Sequence, residues 1–228
     1  IYMKKYIYIF LLFIFAYQAN ADTSHYAGIK LINMEIFRNG EVIGYSNYFF
    51  EHRDNTMTVK NYTKFKVKLL GATIFSISSE GIEKYEDNKL FFFKSNTFQN
   101  NKEKFVNLKY DKKLNKFIID GSSFKGEADI NNVIGNWWNS EILIANSQIS
   151  PLSGSIKKQT VNLLKKEMIE LYGKSYEVLH FKLRSKNENL PKEKKLNFDI
   201  WLDPRKGLIV KIAYERMGKW EYRLKNFE

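Results

Sequence analysis

The chain has no cysteine, only three prolines and three histidines, and 25 acidic residues against 37 basic ones in a length of 228. Without cysteine there is no thiolate nucleophile, thiolate-ligated metal or disulfide, and no site for lipidation of an N-terminal cysteine. His25, His52 and His180 stand far apart and never at a spacing such as HxxxH, so they suggest no metal site. Pro151, Pro191 and Pro204 fall at turn-like places, and no Pro/Gly/Ser-rich linker divides the chain. No apolar run reaches the roughly 18 residues that a membrane-spanning helix needs. There is no GxSxG elbow for acyl transfer. The nearest thing to a phosphate loop, GSSFKGE at 121–127, carries Glu127 where the lysine should stand and lies between strand-like segments.

What is present starts with a leader-like segment. Lys4 and Lys5 follow Met3, an apolar stretch runs from Tyr6 to Phe15, and Ala19-Asn20-Ala21 supplies small residues at −3 and −1. Residues 1–21 read as a signal peptide cut after Ala21, and the expected location is periplasmic or secreted, in a bacterium. The remaining 22–228 are expected to form a single β-rich domain, soluble, without a transmembrane segment and stabilised by an ordinary core. Formal charge is +12, or +10 once Lys4 and Lys5 are removed. Anionic lipid head groups, an anionic envelope polymer or nucleic acid are the partners such a balance suits. The lysines are scattered among Glu and Asn, however, as on an ordinary solvated surface.

The dominant pattern has period two and is punctuated by turn residues. In TVKNYTKFKVKLLG, Val59, Thr63, Phe65, Val67 and Leu69 alternate with Lys60, Lys64, Lys66 and Lys68, as in an antiparallel sheet with one wet face. Asn39-Gly40, Asp54-Asn55 and Asp87-Asn88 are hairpin signals, and Asp203-Pro204 with Gly207 marks the closing hairpin. The expected fold class is all-β: a single strongly curved antiparallel meander, a half-barrel or open barrel, with at most one or two short helices. Residues 131–148 lack alternation, and Trp138, Ile142 and Ala145 at helical spacing suit one short helix there. Residues 160–171 fit either helix or strand, with strand preferred.

Several strands are apolar on both faces, notably Phe49-Phe50 and Phe91-Phe92-Phe93. They suit a sheet curled around its own core or around an apolar ligand. The candidate ligand-binding residues are Trp137, Trp138, Phe91, Phe93 and Ile142, with Trp138 plugging the concave face, Trp137 nearer the rim, and Asn136 and Asn139 as partners for the indole N–H groups. Glu80, Glu83 and Glu86 form the densest acidic cluster, and pairing with Lys84 or Lys89 is their expected role. Tyr62 and Phe65 fall on opposite faces of a strand, so no base-stacking platform forms and nucleic acid is not an expected partner. No catalytic residue, metal ligand or cofactor is indicated.

Taken together, MEIFRNGEVIGYSNYFF, LLGATIF, SEGIEKYEDNKLFFFKSNT, WWN followed by PLSGSI, and FDIWLDPRKGLIVKIAYE resemble a family of exported bacterial all-β proteins known only as a domain of unknown function. The likeness spans most of the chain after residue 21. It rests on an xNGxxIG hairpin, an ExxEx-aromatic run ending in NxL, a later Thr97, the Trp-Asn element, and Trp201 and Asp203 in the last hairpin. Asn88 stands where glycine is commoner, a change confined to a turn. The resemblance implies an extracytoplasmic all-β protein and no activity, and the sheet is similar to those of periplasmic lipoprotein carriers by analogy alone. The leading expectation is a non-enzymatic exported module that holds an apolar or lipid-like ligand or a lipoprotein. An envelope interaction domain with a self-filled core is the alternative, and a hydrolase of unknown class comes third.

Overall fold

A computed structural model describes residues 24–228; the expected leader over 1–21 lies outside them. The described residues form one 15-stranded sheet. A first meander comprises β1 (Leu31–Arg38), β2 (Glu41–Arg53), β3 (Thr56–Leu69), β4 (Ala72–Glu86), β5 (Lys89–Gln99), β6 (Lys102–Asp111), β7 (Lys116–Gly121) and β8 (Lys125–Asp129). The short β9 (Val133–Ile134) and β10 (Ser147–Ile149) follow. A second meander then runs through β11 (Ile156–Leu171), β12 (Lys174–Ser185), β13 (Asn197–Asp203), β14 (Leu208–Glu215) and β15 (Lys219–Phe227). Pairing of β1 with β15 joins the two meanders, and every neighbouring pair is antiparallel except β9 with β10. The sheet is not closed: β8 ends one side and β9 the other. Among the described residues no helix is long and apolar enough to cross a membrane.

Turn chemistry explains much of the register. Asn39-Gly40, Leu70-Gly71, Asp87-Asn88, Asn100-Asn101 and Tyr172-Gly173 each carry two successive positive φ angles, which suit the right-handed twist of a tight hairpin. Bulges explain the aromatic runs. Between Lys84 and Tyr85 the β5 partner jumps from Phe92 to Leu90, leaving Phe91 as the extra residue. The jump turns Leu90 and Phe93 to the same packed side although they are three residues apart. Phe92 faces outward with Lys84 over its ring, and Phe49 on β2 meets Tyr62 edge-on. Outward aromatics are therefore covered by cross-strand neighbours rather than by a second apolar layer. Residues 160–171 belong to β11, where Leu164 is the residue skipped by the pairing.

The curl of the sheet is visible in its cores. Phe93, Val106, Leu108, Phe117, Ile119 and Ala128 of β5–β8 pack against Ile134 and Ile149, so the β9–β10 end folds back over the opposite side of the sheet. Gly121 permits the closest approach. A Cβ there would lie 2.7 Å from the carbonyl of Ser153. Between β9 and β10, residues 135–146 cross the concave face and bury Trp138, Ile142 and Leu143 in the main core. Helical spacing in this stretch resolves into a single 3-10 turn, Ser140–Leu143, whose N-cap Asn139 accepts from the Glu141 N–H at 2.9 Å. β8, β9 and β10 carry no readable alternation. The segment 125–129 buries only Ala128, and the GSSFKGE sequence forms the turn of the β7–β8 edge hairpin.

Candidate functional site

Ser46, Thr63, Ser79 and Thr97 lie in exact cross-strand register on β2, β3, β4 and β5. Their hydroxyls form two close pairs, Ser46–Thr63 and Ser79–Thr97, each at 2.7 Å. This hydroxyl ladder crosses the concave face between two apolar regions, one around Tyr48, Val59 and Tyr85 and the other around Phe65, Val67 and Ile77. In sequence each hydroxyl is one polar residue in a strand; only register aligns them.

The crossing segment is fastened beside this ladder by Glu83. Its Oε1 accepts from Trp138 Nε1 at 2.9 Å and from Asn136 Nδ2 at 2.5 Å, and its Oε2 accepts from Tyr85 Oη at 2.6 Å. Burial pushes the Glu83 carboxyl upward, while those donors pull the other way. Burial first and then the Glu83 charge push the Tyr85 phenol well above its ordinary value. The Trp138 carbonyl accepts from Tyr26 Oη at 2.7 Å, and its ring meets Tyr26, Phe50 and Tyr85 edge-on. The expected pairing of Glu80, Glu83 and Glu86 with Lys84 or Lys89 does not occur among the described residues; alternation sends Glu83 to the packed face, where its partners are Trp138, Asn136 and Tyr85. The Trp138 indole finds Glu83 in place of Asn136 or Asn139, and Asn136 serves the same carboxylate.

Beyond Trp138 the concave face opens into a cleft with two chambers. The outer has a volume of about 760 Å³ and the inner about 200 Å³; Trp137, Lys157, Leu196, Phe198 and Tyr222 line both. The inner chamber reaches Ser46, Thr63 and Ser79 of the hydroxyl ladder. Trp137, Phe198 and Tyr214 form the aromatic floor, with Trp137–Phe198 ring centroids at 5.0 Å and Phe198–Tyr214 at 5.2 Å, both edge-on. Burial pushes the Tyr214 phenol up to about 12 and Tyr222 well above its ordinary value, so both are neutral floor groups. Basic side chains of Lys157, Arg184, Lys186, Lys192, Lys195 and Arg216 complete the outer wall.

Of the sequence-derived candidates, only Trp137 lines this cleft. Trp138 and Ile142 lie in the main core, Phe93 in the core under the β9–β10 end, and Phe91 at its bulge. Sequence reading passed over Phe198, Tyr214, Tyr222 and the cationic wall. Their strands were legible, but which face is concave is not. The buried Glu83 does not line either chamber. His52 is set apart from it, bonding the Ile29 carbonyl at 3.2 Å. Among the described residues no group of acidic or histidine side chains is arranged to hold a metal.

A single open sheet curled over a plug, with a cleft left on its concave face, defines a barrel-like β protein. A solved structure shares this fold: the beta-barrel-like protein of domain of unknown function DUF1849 from Brucella abortus matches with a TM-score of 0.57 at 10% identity, over 88% of this chain and 96% of that one. The model of the domain of unknown function DUF6134 matches residues 34–225, and the chain belongs to that family. No curated protein matches the sequence.

Proposed function

We propose that the protein is an exported, non-enzymatic binding module that holds a lipid-like ligand, or the acyl chain of a lipidated partner, in the concave cleft. The observation that carries this reading is the aromatic floor of Trp137, Phe198, Tyr214 and Tyr222 in a chamber of about 760 Å³. That volume falls within the roughly 300–1,000 Å³ typical of small-molecule sites. An apolar chain laid on this floor would be shielded from water, and the hydroxyl ladder would receive polar atoms at the inner end. Native mass spectrometry after mild purification, followed by lipid extraction, tests it. The expected result is an adduct of lipid mass that Trp137→Ala weakens. An adduct-free protein that takes up no added amphiphile would sink the reading.

The envelope-interaction alternative draws on a different place. Leu70 at the β3–β4 turn is fully exposed, and Leu69 beside it is 60% exposed. Exposed Lys64, Lys66 and Lys68 run along the same strand. Photocrosslinking from position 70 in cells would distinguish the two, since a cleft ligand leaves this tip uncaptured.

A further inference from the structure

We infer that the cleft recognises an anionic group, a phosphate or a carboxylate on an apolar stem, with Lys157 and Arg216 as its anchoring pair. The inference rests on the reading of the cleft as a ligand site and adds the chemistry of the head group.

The outer chamber is lined by six basic side chains against two acidic ones, Glu188 and Glu215. None of the six makes an ion pair among the described residues. Several cations elsewhere on the second meander are paired. Lys165 pairs with Glu167 at 2.8 Å, Lys182 with Asp199 at 2.7 Å, Lys211 with Glu221 at 3.1 Å, and Lys225 with Glu35 at 2.6 Å. Each of these four has a carboxylate partner, whereas among the described residues none of the six cations gathered on the cleft wall does.

Lys157 is the sharpest case. It lines both chambers and is half-buried, so it stands at their junction above the aromatic floor. Burial, and secondarily the neighbouring Arg216 guanidinium, hold its ammonium below the ordinary range. Two like charges sharing a partly desolvated wall repel each other, and an anion between them reverses the sign of that interaction. Arg184, Lys186, Lys192 and Lys195 add a positive field that raises the local concentration of anions. The ring surface of Trp137, Phe198 and Tyr214 beneath these cations suits an acyl or other apolar stem.

The test is isothermal titration of the full chain with four probes below their micelle concentrations: dodecyl phosphate, dodecanoate, dodecyl maltoside and inorganic phosphate. At least one of the two anionic amphiphiles is expected to bind about tenfold or more tightly than the maltoside, and to weaken as salt rises. Comparing dodecyl phosphate with dodecanoate identifies the head group. The pair Lys157→Gln/Arg216→Gln is expected to reduce the preference to about twofold or less. Lys66→Gln/Lys68→Gln, the same charge change on the outer face of β3, is expected to retain it. Neither cleft side chain has an ion pair to lose, and thermal melts check folding; salt dependence of the wild type tests the inference without any variant. Equal, salt-insensitive binding of charged and neutral amphiphiles overturns the anion site and leaves the lipid-like reading standing. Tight inorganic phosphate binding with no gain from a tail upholds the anion site and overturns the lipid-like reading. Binding of none of the four overturns both.

Discussion

Glu83 accepts three hydrogen bonds from groups on two distant parts of the chain, and no cation stands against it. Its carboxyl is held by neutral donors in a buried place, and burial outweighs them in setting its proton affinity. The sign follows from linkage. A carboxyl raised in the folded state contributes stability fully below its ordinary value of 4.5, and loses it as pH rises through the raised value. Glu83→Gln is therefore expected to gain on the wild type as pH rises from about 4.5 toward neutrality, read as the difference in urea midpoints across that range. Parallel midpoint curves would refute it. Lowered carboxylates such as Glu35, held down by Lys225 and then Tyr172, act at lower pH and are common to both proteins. At this scale the sequence shows a cluster of glutamates and a tryptophan doublet but not their meeting. Glu83 and Trp138 are 55 positions apart, and nothing local joins them.

Single elements were the most legible part of the molecule. Asn39-Gly40 and Asp87-Asn88 turn where turn chemistry puts them, and the alternation of Val59, Phe65 and Val67 with Lys64, Lys66 and Lys68 is the burial pattern of β3. Elements that escaped are short or broken. β9 has two residues and β10 three, too few for any period, and the Phe91 bulge disguises a one-sided strand as a two-sided one. Leu70-Gly71 was missed because leucine is a poor resident of its site. It sits at φ +49° and fully exposed. A left-handed conformation costs a side chain with a Cβ roughly 1–2 kcal/mol, and asparagine tolerates it better. Leu70→Asn is expected to stabilise the protein by about 0.5–1 kcal/mol, measured by urea unfolding. A loss of stability would mean that the leucine packs against something.

At the scale of the whole molecule, strand content and antiparallel pairing read directly from period and turns, and a strongly curved open sheet is what those strands form. The cleft did not read, because it depends on which of two faces becomes concave and on what the 135–146 crossing leaves uncovered. Tyr214 and Tyr222 look no different in sequence from outward tyrosines such as Tyr45. Charge illustrates the same limit. The excess of lysine is evident in composition, but the gathering of six cations without ion pairs on one cleft wall exists only in the fold.

The pairing of β1 with β15 sets the order in which this molecule can be completed. Ile36 meets Tyr222, and Lys30 and Leu31 donate backbone N–H groups to the Glu228 carbonyl, across nearly the full described length. Contacts of such separation carry a large loop-closure cost, and sheets dominated by them fold slowly. Refolding from urea, followed by tryptophan fluorescence, is expected to take on the order of seconds rather than milliseconds. A single millisecond phase would contradict that. Until the last strand docks, β1 presents a free hydrogen-bonding edge at what will become the middle of the sheet. The β15 strand of a second chain fits that edge as well as the chain's own. Crowded refolding should therefore yield strand-exchanged dimers, and dilution should suppress them.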